Sequence, residues 1–421
     1  MNKLESLVYH VVRKNPALKQ VVRNAYQGVF DLLPRKSEFF RSSVSFKEDY
    51  FFGFHDVSPF SFDETKVLAN HCLFDLRMPK PSEGLEVGYF DLKDGQLGEY
   101  HLLGTSCAWN YHKGCRLQWV NADCVIFNTA ENGRMVSKQI DLMTRKETSY
   151  DFPIDAIHTD STHAWATSFS YERLERCMPG YGYPYLDGGC LQQEAPAETG
   201  LFLADLKNGS RKLLVSLEEL SHYVDGSFSH GYLHFVTHSE FSKDARYISF
   251  LYRRIPLAGN YMKRYTLMMV YDLQSHQLIE LPTQESGSHY VWNGRNQLIA
   301  SCILNGKSCH ALYDMQDLDH PRIVAGDRLN SDGHQSFISD SSFVTDIYPD
   351  KHRMAKIFRA DIVTGKVELL VSTYSPKQFQ TKDCKCHIAC DLHPRVSPSG
   401  NYLCFDSPRS GKRALYVMPL K

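Results

Sequence analysis

The sequence repeats one short pattern, a strand that ends in Asp and an aliphatic or Met residue and is followed by a turn. Six copies stand along the chain: YFDLKDGQ (89–96), QIDLMTRK (139–146), LADLKNGS (203–210), VYDLQSHQ (270–277), LYDMQDLD (312–319) and RADIVTGK (359–366). YVMPL (416–420) is a degenerate seventh copy. Successive copies lie 42 to 67 residues apart when they are counted from Asp91, Asp141, Asp205, Asp272, Asp314, Asp361 and Met418. Such a spacing is typical of architectures in which each repeat is one supersecondary unit.

A second pattern precedes most of these strands, namely an aromatic or apolar residue, a small turn and an alternating strand. It occurs as SPFSFDETKVLAN (58–70), LQWVNADCVIFN (117–128), SEFSKDARYISFLY (239–252), YVWNGRNQLIAS (290–301), QSFISDSSFVTDIY (335–348) and PRVSPSGNYLCFDS (394–407). Each unit therefore holds several strands joined by tight turns. Seven such units predict an all-β fold, a seven-bladed β-propeller.

The repeats also predict how the chain is divided. The propeller is expected to span residues 43–421, with an insertion at 171–200 in blade three, the least regular unit. Residues 44–52 are expected to supply the outer strand that closes the ring against the last blade, because closure removes exposed strand edges. Residues 1–42 are predicted to form a basic arm of two short amphipathic helices, the second beginning near Pro16.

The arm has two interpretations. From Lys3 to Lys36 it carries seven Lys and Arg against two acidic residues, which permits attachment to a membrane surface. The arm lacks a strong aromatic face, which favours packing on the domain or on a protein partner.

Composition excludes several classes of protein. A net charge of −1 provides no global field for nucleic acid, so no nucleic-acid partner is expected. No apolar run approaches the length of a membrane span, and the N-terminal segment lacks the apolar core of a signal peptide, so a cytoplasmic location is expected, with membrane-peripheral attachment as the alternative.

The 12 cysteines are expected to be reduced. Cys384, Cys386, Cys390 and His387 offer a zinc site, but loop thiols are favoured because a second cysteine pair is missing nearby.

Four consecutive blades carry a histidine at one position, three residues before the aromatic or apolar residue of the inner strand. These residues are His238, His289, His334 and His393, and Arg116 and Val57 take the equivalent positions in blades two and one. In a propeller the inner-strand entries open on one face, so these side chains are expected to converge there. A structural His–Asp network is the alternative, and it is disfavoured because the Asp of blades one to three has no matching His.

A ring of imidazoles suits a divalent metal such as Mn²⁺, Fe²⁺, Zn²⁺ or Ni²⁺, and Gln335 adds an oxygen donor. A free imidazole suits a general base. Basic residues on the same blades are expected to bind a carboxylate or sulfate, with Arg116 and Arg395 as the first choices because they lie at the inner-strand entry. Lys113, Arg253 and His55 complete the predicted substrate-binding set.

Several segments resemble known families. HSEFSKDARYISF (238–250), HYVWNGRNQLIA (289–300), GHQSFISD (333–340) and LHPRVSPSGNYLCFDS (392–407) resemble the blade starts of oligogalacturonate lyases, which are cytoplasmic seven-bladed propellers, and more loosely the WD40-like repeats of TolB-type propellers. DGHQS (332–336), DIYPD (346–350) and CDLHPR (390–395) are similar to segments of uncharacterised proteins associated with bacterial exopolysaccharide and capsule synthesis. The resemblance is specific over about residues 230–420.

The resemblance to the lyases implies a metal, typically Mn²⁺, held by histidines and a glutamine. It matches His238 to the base and His289, Gln335 and His393 to metal ligands. The family motif has a histidine three residues after the glutamine, whereas this chain has Ile338 there and His334 immediately before the glutamine. His334 is therefore added to the expected ligands.

The resulting hypothesis is metal-assisted β-elimination on an anionic, uronate-containing oligo- or polysaccharide. Arg116 is expected to bind substrate charge during the reaction, and Tyr290 is a candidate leaving-group acid. The main alternative is a non-catalytic propeller that binds or scaffolds glycan in bacterial polysaccharide synthesis. Hydrolysis or glycan transfer would need a carboxylate pair, for which Asp332, Asp346 and Asp350 are candidates. A WD40-type interaction hub is disfavoured by the missing WD dipeptides.

Overall fold

The computed structural model describes residues 16–33, 35–81, 83–183, 190–225, 229–257, 264–380 and 387–421. Their strands form seven antiparallel sheets arranged as blades. Two short strands, β1 (Phe39–Phe40) and β2 (Ser45–Glu48), precede blade one. The strands of blades one to three are β3 (Tyr50–Phe51), β4 (Lys66–His71), β5 (Leu85–Lys93), β6 (Gln96–Ser106), β7 (Gln118–Trp119), β8 (Cys124–Glu131), β9 (Arg134–Asp141), β10 (Glu147–Tyr150), β11 (Ile157–Thr159), β12 (Ala164–Ser168), β13 (Gly200–Asp205) and β14 (Ser210–Ser216).

The remaining blades follow the same order. The strands of blades four to seven are β15 (Tyr232–Phe241), β16 (Tyr247–Pro256), β17 (Tyr265–Asp272), β18 (Gln277–Glu280), β19 (Tyr290–Trp292), β20 (Gln297–Leu304), β21 (Lys307–Asp314), β22 (Asp317–Val324), β23 (Gln335–Ser339), β24 (Ser342–Ile347), β25 (Met354–Asp361), β26 (Val367–Tyr374), β27 (Arg395–Val396), β28 (Tyr402–Ser407) and β29 (Ala414–Pro419). The first strands of neighbouring blades contact one another near the axis, as β19 does β23 and β23 does β27. The predicted fold class, a seven-bladed β-propeller, is confirmed.

The repeated Asp is explained by the turn that follows it. The six residues lie at or near the ends of the third strands, and most of their carboxylates accept hydrogen bonds from main-chain nitrogens two or three residues further on. Asp141, for example, accepts from Met143 and Thr144 at 3.0 and 2.7 Å. This is the turn chemistry in which Asp is favoured. The Asp therefore shapes the outer hairpin of a blade, and it does not need a histidine partner.

Burial follows the position of a strand within its blade. The second strands are buried on both faces, as in β20 and β28, because each blade packs face to face with two neighbours. The outer strands β10, β18 and β22 alternate or are mostly exposed. The sequence pattern is therefore most apolar in the second strand of each unit.

The N-terminal segment completes two blades. β2 lies within the segment predicted to close the ring, and it pairs with β29 of blade seven, where Phe46 stacks on Tyr416 at 5.1 Å. β1 adds a fifth strand to blade six by pairing with β26. The ring is thus closed by main-chain hydrogen bonds between distant parts of the chain.

Helix α1 (Pro16–Asp31) corresponds to the second predicted helix of the arm, and the first lies outside the described residues. Its C-terminal end contacts blade six, where Asp31 pairs with Arg353 at 2.7 Å and Phe30 lies edge-on to His352 at 5.2 Å. Val29 and Leu32 remain exposed. Among the described residues, helices of the length and apolarity needed to cross a membrane are missing.

The blade-three insertion packs against an extended hairpin of blade four. It begins with helix α2 (Tyr171–Cys177), which is N-capped by Ser170. The buried Arg173 donates to main-chain oxygens of His234 and Glu194, which ties α2 to β15. A further helix, α3 (Leu217–Asp225), connects β14 to blade four. The insertion and the long β15–β16 hairpin together form one wall of the face that carries the histidines.

Candidate functional site

Phe54 lies at the centre of the ring and is surrounded by histidines. The loop after β3 carries it there, and its ring centroid lies 4.8 Å from that of His238 and 5.1 Å from that of His393. The corresponding distances to His289 and His334 are 5.8 and 5.9 Å. The four histidines that share one blade position are therefore brought together in space.

A glycine allows the loop to reach the centre. Gly53 has a φ of +124°, and a Cβ atom at this position would lie 2.7 Å from the main-chain carbonyl carbon of Lys113. Asp406 of blade seven accepts hydrogen bonds from the main-chain nitrogens of Phe52 and Gly53 at 3.1 and 3.2 Å. Arg395 donates to the carbonyl oxygen of Gly53 at 2.9 Å. Blade seven therefore fixes the loop that carries Phe54.

Two histidines of the ring donate a hydrogen bond to a main-chain carbonyl through Nδ1. The Nδ1 atom of His393 lies 2.7 Å from the oxygen of Gly53, and that of His55 lies 2.8 Å from the oxygen of Gln335. Because a carbonyl oxygen only accepts, Nδ1 carries the proton and Nε2 keeps its lone pair in the neutral ring. Within the described part of the chain, the buried Nε2 atom of His393 has no hydrogen-bond partner.

Two carboxylates orient two further histidines. Asp332 Oδ1 lies 3.0 Å from Nδ1 of His289, and the two oxygens of Asp346 lie 2.8 and 3.0 Å from Nδ1 of His334. Asp346 also accepts from the main-chain nitrogen of His393 at 3.0 Å. A carboxylate on one imidazole nitrogen is the arrangement that presents the other nitrogen to a metal. Burial acts to lower the pKa of His334, but the Asp346 carboxylate outweighs burial and the pKa is raised.

The acidic residues considered as a catalytic pair have other partners. Asp332 and Asp346 bind the two histidines, and Asp350 pairs with Lys356 at 2.9 Å. Asp332 and Asp346 are therefore placed to orient imidazoles. The three carboxylates do not form the pair that a hydrolase would need.

His238 has the properties of a general base. Its Nδ1 lies 2.8 Å from the hydroxyl of Thr237, and its Nε2 has no hydrogen-bond partner among the described residues. Burial lowers the pKa of His238 well below its usual value, and the positive charges of Lys113 and Arg253 add to the effect, so the ring is neutral at physiological pH. Tyr290 is buried beneath it, with its hydroxyl donating to the carbonyl oxygen of His238. Burial raises the pKa of Tyr290 well above its usual value, so the hydroxyl stays protonated, and its proton is engaged by the His238 carbonyl oxygen.

His112, Asp391 and His393 form a group with metal-binding geometry. One ligand atom from each lies within 4.8 Å of the other two, and Nδ1 of His112 is 3.7 Å from Oδ2 of Asp391. Burial raises the pKa of Asp391 to about 6. A divalent cation would offset the cost of burying this carboxylate and would satisfy Nε2 of His393. The residues present therefore fit a divalent metal.

This group shares only His393 with the ligand set predicted from the sequence, which comprises His289, His334, Gln335 and His393. His334 lies beside it, with ring centroids 4.3 Å from His393 and 4.1 Å from His289. The carboxamide of Gln335 instead donates to the Ser301 hydroxyl at 2.7 Å and bonds Nδ1 of His310 at 2.8 Å. The side chain of Gln335 thus lies in the contact between blades five and six, and its buried Oε1 atom has no hydrogen-bond partner among the described residues.

Two cations that were expected to bind substrate belong to the interior. Lys113 Nζ lies 2.7 Å from Oδ1 of Asp155, and Arg116 pairs with Asp56 at 2.8 Å. Arg116 also donates two hydrogen bonds to the main-chain oxygen of Asp155, at 2.8 and 2.6 Å. Only 2% of Lys113 and 3% of Arg116 is exposed. These charges are satisfied within the scaffold and are not open to a ligand.

The other two predicted cations differ from each other. Arg395 is fully buried and pairs with Asp406 at 3.2 Å, so it supports the Phe54 loop. Arg253 is also buried, but among the described residues it pairs with no carboxylate. Within the described part of the chain, Arg253 is therefore the only predicted cation that forms no ion pair.

The zinc site considered for Cys384, Cys386, Cys390 and His387, which the sequence disfavoured, lies only partly within the described residues. Cys384 and Cys386 lie outside them. Nδ1 of His387 lies 2.6 Å from Nε2 of His112, and Cys390 is a buried thiol whose pKa burial raises to about 12. His387 thus extends the imidazole cluster.

Three participants were missed by the sequence patterns: Phe54, His112 and Asp391. Asp391 stands two residues before His393 in the quoted CDLHPR segment, so its spacing was a usable signal. Phe54 and His112 lie in loops outside the repeated blade position. Their proximity depends on ring closure, which no local pattern reveals.

Solved structures of known proteins share this fold. An oligogalacturonate lyase in complex with manganese is 14% identical, covers 92% of this chain and 99% of its own, and superposes with a TM-score of 0.61. An oligogalacturonate lyase from Vibrio parahaemolyticus is 12% identical over 92% of this chain and 99% of its own, with a TM-score of 0.59. The tricorn protease is 12% identical over 89% of this chain and 34% of its own, with a TM-score of 0.52.

At such low identity these similarities establish the fold and leave the chemistry to the site. The comparison with protein-family models gave no match, and the search of curated proteins gave none either.

Proposed function

We propose that the imidazole face binds a divalent metal ion, with Mn²⁺ as the first candidate, and that the protein cleaves a uronate-containing oligo- or polysaccharide by β-elimination. The observation that carries the proposal is His238, a neutral buried imidazole with an open Nε2 atom, on the same face as the group of His112, Asp391 and His393. The fold shared with a manganese-containing oligogalacturonate lyase supports it.

The chemistry requires removal of a weakly acidic proton next to a carboxylate. A bound divalent ion would lower the negative charge of that carboxylate and of the enolate-like transition state. His238 would take the C5 proton on Nε2, the C5–H electron pair would form the C4–C5 double bond, and the C4–O bond would break with its electrons leaving on oxygen. Thr237 holds Nδ1 and so fixes which nitrogen faces the substrate.

The test compares metal content with turnover in three variants. Purified protein is expected to bind Mn²⁺ stoichiometrically and to release unsaturated product from trigalacturonate, detected by its ultraviolet absorbance. His393→Ala is expected to lose the metal, whereas His238→Ala is expected to keep it and to lose about 10²- to 10⁴-fold in kcat. The matched control is His320→Ala, an exposed histidine on the outer strand of blade five. Wild-type turnover by His238→Ala would refute its role as the base.

A second candidate is a non-catalytic propeller that binds glycan, as in polysaccharide biosynthesis. It is favoured by the internal ion pairs of Lys113, Arg116 and Arg395 and by the buried hydroxyl of Tyr290, which leave the site short of groups for charge binding and proton delivery. This function would be supported if the metal-loaded protein bound uronate oligosaccharides and released no unsaturated product.

A further inference from the structure

Arg253 is a buried cation that has no carboxylate within ion-pair distance among the described residues. It stands in β16 and is 7% exposed. Its Nε atom donates to the Thr266 hydroxyl at 3.2 Å, and Nη1 lies 3.3 Å from the sulfur of Met178. Nη2 makes no hydrogen bond to any described residue. By contrast, Lys113 and Arg395 have a carboxylate at 2.7 and 3.2 Å, respectively.

The electrostatics agree with this geometry. Burial lowers the pKa of Arg253 to about 9, and the positive charge of Arg264 adds to the effect. Burying a charge without a partner is costly, so a side chain of this kind is expected where a ligand supplies the partner. A thioether and a neutral hydroxyl do not supply it.

The position of Arg253 connects it with the proposed base. In the β15–β16 hairpin Arg253 lies opposite Phe235, three residues before His238. Its charge is among those that lower the pKa of His238. The blade-three insertion provides the other side, with Met178 against the guanidinium and Tyr181 at 6.3 Å from the His238 ring. Arg253 therefore lies between the insertion and the base, on the histidine-bearing face.

We propose that Arg253 is the carboxylate-binding residue of the site and selects ligands that carry a free carboxylate, such as unesterified uronates; this assignment rests on the proposed function. A guanidinium presents paired donors that match the two oxygens of a carboxylate. The carboxylate would complete the hydrogen bonding of Arg253 and balance its charge. A methyl ester offers no charge and fewer acceptors to the same group.

Binding of trigalacturonate to the metal-free protein tests this proposal without depending on turnover. In calorimetric titrations with chelator present, Arg253→Gln is expected to bind roughly 10- to 100-fold more weakly than wild type, since a hydrogen bond to a charged group contributes a factor of this size. Arg253→Lys is expected to lose less because it keeps the charge. Arg246→Gln, which removes a surface arginine paired with Asp272 in the same blade, is the matched control and is expected to bind as wild type does. The trimethyl ester is expected to bind wild type as weakly as the free acid binds Arg253→Gln.

Thermal unfolding supplies a second measurement if a variant binds poorly for other reasons. Without ligand, Arg253→Met is expected to unfold at the same or a higher temperature than wild type, because the variant removes a buried charge that forms no ion pair with any described residue. Trigalacturonate is expected to raise the unfolding temperature of wild type and not that of Arg253→Met. Equal binding by wild type and Arg253→Gln, or no binding by wild type, would overturn the proposal. Failure of the lyase reaction alone would leave it standing, since no step of this test requires product.

Discussion

The assignment of Lys113 and Arg116 to the scaffold predicts that Asp155→Asn destabilises the protein. Asp155 is fully buried, and four hydrogen bonds reach its carboxylate: Lys113 and Tyr171 on Oδ1, and the nitrogen and hydroxyl of Ser239 on Oδ2. Asn keeps one acceptor oxygen, so two of the four bonds are lost and its NH₂ group faces donors. At roughly 1.5–3 kcal/mol for each bond to a charged group, the loss is about 3–6 kcal/mol. Removing one partner of a buried ion pair costs a similar amount, about 3–5 kcal/mol.

The assay is urea unfolding followed by tryptophan fluorescence. The control is Asp317→Asn, which removes a carboxylate whose side chain is 60% exposed and is expected to change the free energy of unfolding by less than about 0.5 kcal/mol. If Asp155→Asn lost no more than the control, Lys113 and Arg116 would not depend on this carboxylate. Their assignment to the scaffold would then be wrong, and a role in ligand binding would have to be reconsidered.

Three further predictions follow from contacts around the site and the arm. Asp346→Asn is expected to weaken Mn²⁺ binding about 10- to 100-fold in titrations, because Asp346 holds both the main-chain nitrogen of His393 and Nδ1 of the adjacent His334; unchanged affinity would contradict the orienting role. Gly53→Ala is expected to cost about 1–3 kcal/mol in urea unfolding, since its φ is +124° and the added Cβ meets main-chain atoms; a neutral effect would contradict the tight approach of the loop. The hydrogen bond to Arg353 lowers the pKa of Asp31 to about 2. The ionised Asp31 therefore stabilises the attachment of α1 above the unfolded pKa of about 3.9, and this stabilisation is lost as the pH falls towards 2. The protection factors of the α1 amides, which correct for the pH dependence of intrinsic exchange, should therefore fall over that range, and Arg353→Met should abolish this change.

The fold could be predicted because its determinants are local and repeated. The repeated Asp accepts hydrogen bonds from main-chain nitrogens only two or three residues further on, as Asp141 does, so each outer hairpin produces a recognisable motif in the sequence. The four histidines are recognisable in the sequence for the same reason, because they occupy one position of the repeat and equivalent positions of the blades lie on one face. Convergence of His238, His289, His334 and His393 therefore followed from their phase in the repeat.

The chemical state of each side chain could not be predicted, because it depends on partners far away in sequence. Arg116 stands at the position equivalent to that of a histidine, yet Asp56 and Asp155 from other blades neutralise it. His112 and His393 are neighbours only because blade seven returns beside blade one. Charge and spacing in the sequence identified the candidates, whereas burial and pairing in the structure divided them between scaffold and site.

The closing strand pair has a consequence for how the protein is made. β2 ends at Glu48 and its partner β29 begins at Ala414, so the ribosome must make all the blades between them before the two strands can meet. Until β29 is made, β2 has no strand to pair with, and β1 likewise has no partner until β26 of blade six is made. Such edges can pair with another chain, so the nascent polypeptide is most exposed to wrong association during synthesis. A circular permutant that starts at an exposed outer turn, such as that after β17, would bring β29 and β2 much closer in sequence and should shorten this period.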